Sequence, residues 1–205
     1  MRVVIHRDEW DKHYYHAPQF DDQEKITNEP EDVESDKVAI CLEELRSGGF
    51  ISEIKYPADQ FHAFRNAVKE TFFIFWTAIN PPMERLLYAL SAILKPRNIL
   101  GLGIFTGYPV VWSLGPGLQQ VYPAEKLIGV EIDKNNARLG NDNIQALIEE
   151  IKSPVKAEIL GEDGFDVLER YGEGSIDLLY LDANGTNPES RSEEHTSELQ
   201  SPNTI

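Results

Sequence analysis

The sequence predicts an α/β fold in which a parallel sheet is covered by helices on both faces. After Pro96, short strand-like segments alternate with helical segments, and each strand is an almost continuous apolar run. Strands of this kind are buried on both faces, which is typical of parallel sheets. The chain has 205 residues, of which 41% are hydrophobic and 26% are charged, a composition typical of one soluble globular domain.

The alternating part of the chain predicts four strands joined by helices. The predicted strands are NILGLG (98–103), KLIGVEI (126–132), VKAEIL (155–160) and IDLLYLD (176–182). Predicted helices begin near Thr106, cover 133–151 and cover 164–172. The order of these elements predicts a Rossmann-like unit over residues 96–190.

A helical segment over residues 33–95 is predicted before this unit. Its first helix begins at Val33 and ends at Gly48 and Gly49, because glycine supplies a left-handed cap. A strongly aromatic helix from Ala58 to Ile79 is expected to pack against the sheet or a partner subunit. Asn80, followed by a proline pair, is the predicted N-cap of a third helix.

Residues 1–32 are acidic and lack periodicity, which predicts an irregular arm. The net charge of −16 argues against nucleic acid or an anionic membrane surface as a partner. The sequence has no apolar run long enough to span a bilayer and no signal peptide, so a cytoplasmic location is expected. Cys41 is the only cysteine, which excludes an internal disulfide, and buried packing in the first helix is expected for it.

The end of the chain differs from the rest. Helix and strand signals stop after Asp182, and residues 191–201 (RSEEHTSELQS) resemble the translation of a common sequencing-library adapter. We therefore expect residues 191–205 to be a non-native tail and the Rossmann-like domain to be incomplete.

Three glycines follow the first parallel strand in NILGLGIFTGY. Gly101, Gly103 and Gly107 predict a turn that lets the backbone approach a nucleotide cofactor, with the free N–H groups of the next helix beyond it. A dinucleotide fingerprint requires a third glycine where Thr106 stands, which disfavours NAD. Glu131, 28 residues after Gly103, is placed to accept hydrogen bonds from both hydroxyls of a ribose.

Two further acidic positions follow strand ends. In GEDGFDVL, Asp163 is a candidate for the adenine amino group, and Gly164 would leave room for the ring. Asp182 ends the fourth strand. Ligands of open parallel sheets bind outside the carboxyl ends of the strands, so these features converge on one crevice.

Read together and in this order, the motifs NPPMERLLYALSAILKPRNILGLGIFTGY, GVEID, GEDGFDVL and IDLLYLDA resemble class I S-adenosylmethionine-dependent methyltransferases. Within that class they resemble the catechol and caffeoyl-CoA type of O-methyltransferase. The resemblance implies that S-adenosylmethionine is bound by a set of turn and strand-end residues. These are Gly103, Phe105, Gly107, Tyr108, Glu131, Asp163, Gly164 and Asp182. It also implies a divalent cation such as Mg²⁺ at Asp182, which would orient a substrate hydroxyl.

The chain departs from the family pattern at three positions. Gly101 stands where an acidic residue usually contacts the methionine amino group, and Pro109 stands where serine is frequent. Gly185 replaces the lysine that acts as base, so no catalytic residue is assigned. A complete class I fold has seven strands, and the four predicted here indicate a C-terminally truncated and inactive chain.

The leading interpretation is a methyltransferase that, with metal assistance, modifies a hydroxyl group of a small molecule, either aromatic or of another kind. Two alternatives stay open at this point. One is a non-catalytic binding module with the methyltransferase fold, and the other is an NAD-binding or other nucleotide-binding Rossmann enzyme. The expected partners are a small-molecule acceptor and, through the aromatic helix, a second copy of the chain.

Overall fold

The computed structural model describes residues 30–74 and 79–182. The helices are α1 (Glu31–Ser47), α2 (Ala58–Thr71), α3 (Pro81–Leu94), α4 (Tyr108–Leu118), α5 (Lys134–Ile151) and α6 (Gly164–Leu168). The strands are β1 (Asn98–Leu102), β2 (Lys126–Val130), β3 (Ala157–Leu160) and β4 (Leu178–Leu181). The predictions for most of the acidic arm, for Gly185 and for the tail 191–205 fall outside the described residues.

The four strands form one parallel sheet in the order β3-β2-β1-β4. Gly101 pairs with Gly129 of β2 and with Tyr180 of β4, so β1 lies between them. The chain first builds the sheet in one direction from β1 and then returns to its other side. This arrangement confirms the predicted Rossmann-like parallel sheet, and it puts the reversal of strand order beside β1.

Helices cover both faces of the sheet, as predicted, but unequally. One face packs Ile99, Leu127 and Ile159 against a large core formed with α2, α4 and α5. The opposite face packs Leu100 and Ile128 against a small cluster from α6 and the loop after it. No helix in the described ranges is both long and apolar enough to cross a membrane.

The first helix begins at Glu31, two residues before the predicted start at Val33. Pro30 precedes it, and acidic residues fill its first turn, where they stabilise the positive end of the helix dipole. Its end confirms the prediction, because Gly49 has a φ of 79°. The N–H groups of Gly49 and Phe50 close the last turn on Arg46 and Leu45.

Cys41 is exposed on α1, so the expected buried packing is wrong. The buried stripe of this helix passes instead through Glu34, Val38 and Leu42 at four-residue spacing. Val38 and Leu42 pack on Ala89 and Ile93 of α3.

The aromatic helix ends at Thr71 rather than at the predicted Ile79. Phe72 takes up an extended conformation, and the N–H of Phe73 donates to Asn143 Oδ1 of α5 at 3.1 Å. The prediction that this helix continues to Ile79 is wrong, because the hydrogen bond from Phe73 to Asn143 holds the backbone in an extended conformation there. The local sequence pattern alone would continue the helix. Asn80 is the N-cap of α3 as predicted, with its Oδ1 accepting from the N–H of Met83.

The aromatic side chains of α2 pack inside the protomer. Phe61 and Phe64 are fully buried, and both lie near the rings of Tyr88 and Trp112. Intramolecular packing therefore accounts for the aromatic stripe that suggested a second copy of the chain. The homodimer itself stays a prediction.

Four charged side chains are buried where α1, α2 and α3 meet, and we call them the buried ion network: Glu34, Arg65, Glu84 and Arg85. Arg65 donates to both carboxylate oxygens of Glu34, at 3.0 and 2.8 Å. The Nε of Arg85 donates to the same carboxylate at 2.5 Å. Both guanidinium groups lie against the ring of Phe61, 4.3 and 4.7 Å from its centre. Two positive and two negative groups balance one another in this network.

Candidate functional site

The glycine turn, residues 103–107, lies at the carboxyl end of the central strand β1. Gly103 and Gly107 have φ values of 70° and 84°, a region that glycine enters without strain. The N–H of Gly103 donates to the carbonyl of Val130 at 2.9 Å, which ties the turn to the end of β2. Gly107 is the N-cap of α4, so the first N–H groups of that helix open at the turn.

Glu131 is bound directly to this turn. Its Oε2 accepts from the N–H of Phe105 at 2.8 Å, and its Oε1 accepts from the N–H of Asp133 at 3.0 Å. The carboxylate follows β2, the neighbour of β1, and its own N–H bonds to Leu160 at the end of β3. The structure thus brings together the glycine turn and the carboxylate that the sequence predicted as partners in ribose binding.

Helix α5 holds the turn from behind through Gly140 and Asn143. A Cβ at Gly140 would lie 3.0 Å from the carbonyl carbon of Thr106, so only glycine permits this approach of helix and turn. Asn143 donates to the Thr106 carbonyl at 3.2 Å while accepting from Phe73. Thr106, which stands where a dinucleotide fingerprint has glycine, is therefore buried against a helix.

Gly101 is required by packing. A Cβ there would meet the Cγ2 atoms of Ile104 and Val110, each at 2.8 Å. Both atoms belong to β-branched side chains that are fully buried and cannot swing aside. The family's acidic residue at this position could not be accommodated without a shift of α4.

We expect Gly101→Ala to lower the free energy of unfolding by about 2 kcal/mol, the usual cost of overpacking a core. Urea unfolding at 25 °C measures it. The matched control is Gly164→Ala, where the nearest atom to a Cβ is Leu102 Cδ2 at 3.5 Å, an ordinary contact. The control should change stability by less than about 0.5 kcal/mol. Equal stability of the two variants would contradict the packing argument.

Asp163 and Gly164 lie at the start of α6, just beyond β3. Asp163 is the N-cap of this short helix, and its Oδ1 accepts from the N–H of Phe165 at 2.8 Å. This bond gives Asp163 a structural role, while its predicted contact with adenine stays a prediction. A Cβ at Gly164 would meet Leu102 Cδ2 at 3.5 Å, an ordinary contact, so the predicted room for an adenine ring beside Gly164 stays a prediction.

Asp182 lies at the end of β4, on the other side of β1. Its N–H donates to the carbonyl of Leu102, and its Oδ2 accepts from the Tyr180 hydroxyl at 3.4 Å. Desolvation at the sheet end raises the pKa of Asp182, and the Tyr180 hydroxyl lowers it by less. Asp182 is therefore at the predicted edge, next to the first residues of the glycine turn.

The described residues do not fit a divalent-metal site. Over residues 30–74 and 79–182, no three His, Cys, Asp or Glu side chains converge on one point. Mg²⁺ takes several oxygen ligands, and within the part of the chain that the structure describes the side-chain neighbour of the Asp182 carboxylate is the Tyr180 hydroxyl. The sequence-based expectation of a metal at Asp182 gains no support from this geometry.

Two of the predicted cofactor residues contribute differently from what the sequence suggests. Tyr108 is 6% exposed, and its hydroxyl donates to Glu84 Oε1, so its side chain is turned into the protein. Only its backbone faces the turn. Phe105 has a φ of 52° and is 36% exposed, and its N–H serves Glu131.

Two apolar side chains at this edge escaped the sequence analysis. Ile132, directly after Glu131, is 70% exposed, and Phe165 in α6 is 73% exposed. Large apolar side chains at such exposure frequently mark a ligand or partner surface when they are grouped. The sequence feature that could have indicated Ile132 is its position directly after Glu131, the carboxylate predicted at the end of a strand.

Comparison with known proteins gives fold-level similarity. No protein-family model and no curated protein matches the chain. Among solved structures, the chain is similar to the O-methyltransferase from Bacillus cereus in complex with SAH. The two are 15% identical, the match covers 79% of this chain and 69% of that one, and the TM-score is 0.46.

A second similar structure is the O-methyltransferase TomG from Streptomyces achromogenes, involved in tomaymycin synthesis and solved with SAM. It is 21% identical, with a TM-score of 0.44, and the match covers 74% of this chain and 63% of that one. This chain thus spans less than two thirds of TomG.

Proposed function

We propose that this chain binds S-adenosylmethionine at the carboxyl edge of its sheet and belongs to a methyltransferase acting on a hydroxyl of a small molecule. The observation that carries the proposal is the Glu131 carboxylate, which is bound to the glycine turn by the N–H of Phe105. A carboxylate has about four acceptor positions. Two backbone N–H groups occupy part of them, and the remainder suit two ribose hydroxyls.

The other parts of the cofactor have matching surfaces. The positive-φ glycines and the N-terminus of α4 allow close approach of the methionine part to the backbone. Ile132 and Phe165 offer exposed apolar surface for adenine beside the ends of β2 and β3. The glycine turn follows β1, Glu131 follows β2 and Phe165 follows β3, and this arrangement at one edge of the sheet supports the proposal.

Methyl transfer from a sulfonium is an in-line displacement, so its main requirement is to hold the methyl group and the acceptor oxygen in line. Bound there, the cofactor would supply the methyl group, its sulfur would keep the bonding pair and leave as the neutral thioether of S-adenosylhomocysteine, and the proton of the acceptor hydroxyl would pass to solvent. In this proposal the described residues would hold the cofactor half of that arrangement. The methyl acceptor and metal assistance are proposals that follow from the motif resemblance alone.

A second candidate is a non-catalytic module that binds the cofactor. Gly101 favours it, because the space that an acidic side chain would need is filled by Ile104 and Val110. Cofactor binding without methyl transfer to any of a panel of phenols and catechols would favour the module over the enzyme.

Isothermal titration of the full chain with S-adenosylhomocysteine and, separately, with NAD tests the proposal. We expect S-adenosylhomocysteine to bind at least about tenfold more tightly than NAD, a difference of ~1.4 kcal/mol. The reason is that Thr106, buried against α5, replaces a glycine of the dinucleotide fingerprint. Preference for NAD, or no binding of S-adenosylhomocysteine, would refute the proposal.

A further inference from the structure

A buried carboxylate anchors the residue that joins the glycine turn to α4. The Tyr108 hydroxyl donates to Glu84 Oε1 at 2.5 Å, and both residues are more than 90% buried. Tyr108 is the first residue of α4 and directly follows Gly107. The position of its side chain therefore determines where the turn passes into the helix.

The ring of Tyr108 is held by aromatic contacts as well. It meets Phe72 and Trp112 edge to face, with ring centres 6.2 and 5.5 Å apart. Such contacts restrict the plane of the ring, whereas the hydrogen bond to Glu84 also fixes its hydroxyl end. The first turn of α4 is thus tied to both α2 and α3.

Glu84 is itself oriented by the buried ion network. Its Oε2 lies 3.1 Å from the Nε of Arg65, in ion-pair contact, and Arg65 also binds Glu34. Burial raises the pKa of Glu84, and the charge of Arg65 and the hydroxyl of Tyr108 lower it by less. The orientation of Glu84, and through it that of Tyr108, depends on a side chain from another helix.

Stability alone does not explain this arrangement. Well-packed apolar side chains usually stabilise a fold as much as a buried ion network does, because desolvation of the charges offsets their attraction. The three helices already share apolar contacts, such as Val38 and Leu42 with Ala89. The Glu84 bond to Tyr108 links this network to the end of the glycine turn.

We propose that Glu84 is a positioning residue for the cofactor site. Acting through the Tyr108 hydroxyl, it holds the glycine turn in the conformation in which Gly103, Phe105 and the N-terminus of α4 face the ligand. The inference rests on the proposed function, since it takes this turn as the binding site of the adenosyl cofactor.

Titration with S-adenosylhomocysteine tests the inference on four variants of the full chain: Tyr108→Phe, Glu84→Gln, the double variant, and Tyr56→Phe. Tyr56→Phe is the matched control, because it also removes a tyrosine hydroxyl that contacts the buried ion network. That hydroxyl accepts from Arg85 at 3.1 Å. We expect each single change at Tyr108 or Glu84 to weaken affinity by about tenfold. The double variant should be no weaker than the worse single variant, since both changes act on one contact: glutamine leaves a single acceptor oxygen for the Tyr108 hydroxyl and Arg65. The control should stay within about twofold of the wild type.

Hydrogen exchange of the ligand-free variants gives a second readout. We expect amides of the glycine turn to exchange about tenfold faster in Tyr108→Phe and Glu84→Gln and unchanged in Tyr56→Phe. If the affinity and the turn exchange of all variants match the wild type, the inference is overturned. Equal effects of Tyr56→Phe and Tyr108→Phe would also overturn it, since the role would then be merely structural. Faster turn exchange together with no binding by the wild type would support the link from Glu84 to the turn and overturn the proposed function.

Discussion

Replacing Glu131 with glutamine is expected to weaken binding of S-adenosylhomocysteine by about 100-fold, or ~2.7 kcal/mol. The carboxylate would lose the charge that strengthens its bonds to two ribose hydroxyls, and hydrogen bonds to a charged group contribute about 1.5–3 kcal/mol each. The two oxygens of Glu131 accept from the N–H groups of Phe105 and Asp133. In glutamine one of these oxygens becomes an NH₂ group, which would face one of the two N–H donors and lose that hydrogen bond. Isothermal titration of wild type and variant measures the change.

Glu158→Gln is the matched control, because Glu158 is an exposed carboxylate on the neighbouring strand β3. It should leave the affinity unchanged. Thermal unfolding of both variants separates a loss of binding from a loss of fold. A folded Glu131→Gln variant with wild-type affinity would remove the observation on which the proposed function stands.

Replacing Glu34 with glutamine is expected to lower the free energy of unfolding by about 3 kcal/mol at pH 7, the usual result of removing one partner from a buried ion pair. Glu34 binds Arg65 through both oxygens and accepts from Arg85 as well. Without its charge, Arg65 would retain its ion pair with Glu84 at 3.1 Å, and Arg85 would retain the longer one with the largely exposed Glu31 at 3.4 Å. Urea unfolding followed by circular dichroism measures the difference.

The same variant should change the response to acid. Burial raises the pKa of Glu34, but the hydrogen bonds and charges of Arg65 and Arg85 lower it further, so its net pKa is below the usual value. A lowered pKa means that the carboxylate stabilises the fold above the unfolded value of about 4.3, and that this contribution disappears as the pH falls through the folded value. The stability gap between wild type and Glu34→Gln should therefore narrow below about pH 4.

Glu43→Gln is the control for this pair of measurements. Glu43 lies on the same helix and contacts Arg46 at 2.6 Å, but its side chain is 43% exposed. Its loss should cost less than about 0.5 kcal/mol. A Glu34→Gln variant as stable as Glu43→Gln at neutral pH would show that the network contributes little to folding.

Much of the fold follows from local sequence. The apolar strands with helices between them predicted a parallel sheet, because such strands must be buried on both faces. Gly49 and Asn80 predicted a helix end and a helix start, since capping needs a left-handed residue or a side-chain acceptor within a few residues. Gly103, Gly107 and Glu131 predicted one edge of the sheet, since parallel strands end together.

Other features depend on contacts between residues far apart in the chain. Asn143 decides where α2 ends, at Thr71. Its Oδ1 accepts from the N–H of Phe73, which lies 70 residues earlier in the chain. The buried side chains of Ile104 and Val110 leave no room for a Cβ at position 101, so glycine is required there. The inward orientation of Tyr108 is decided by Glu84, which no motif singled out.

The sequence by itself thus determined the order and type of the elements and the edge at which the glycine turn meets Glu131, because periodicity and capping are local properties of the chain. Tertiary structure alone decided the end of α2, the burial of four charges between α1, α2 and α3, and the inward orientation of Tyr108. Those features arise from desolvation and from hydrogen bonds across long sequence separations, and a single sequence carries no periodic signal for either.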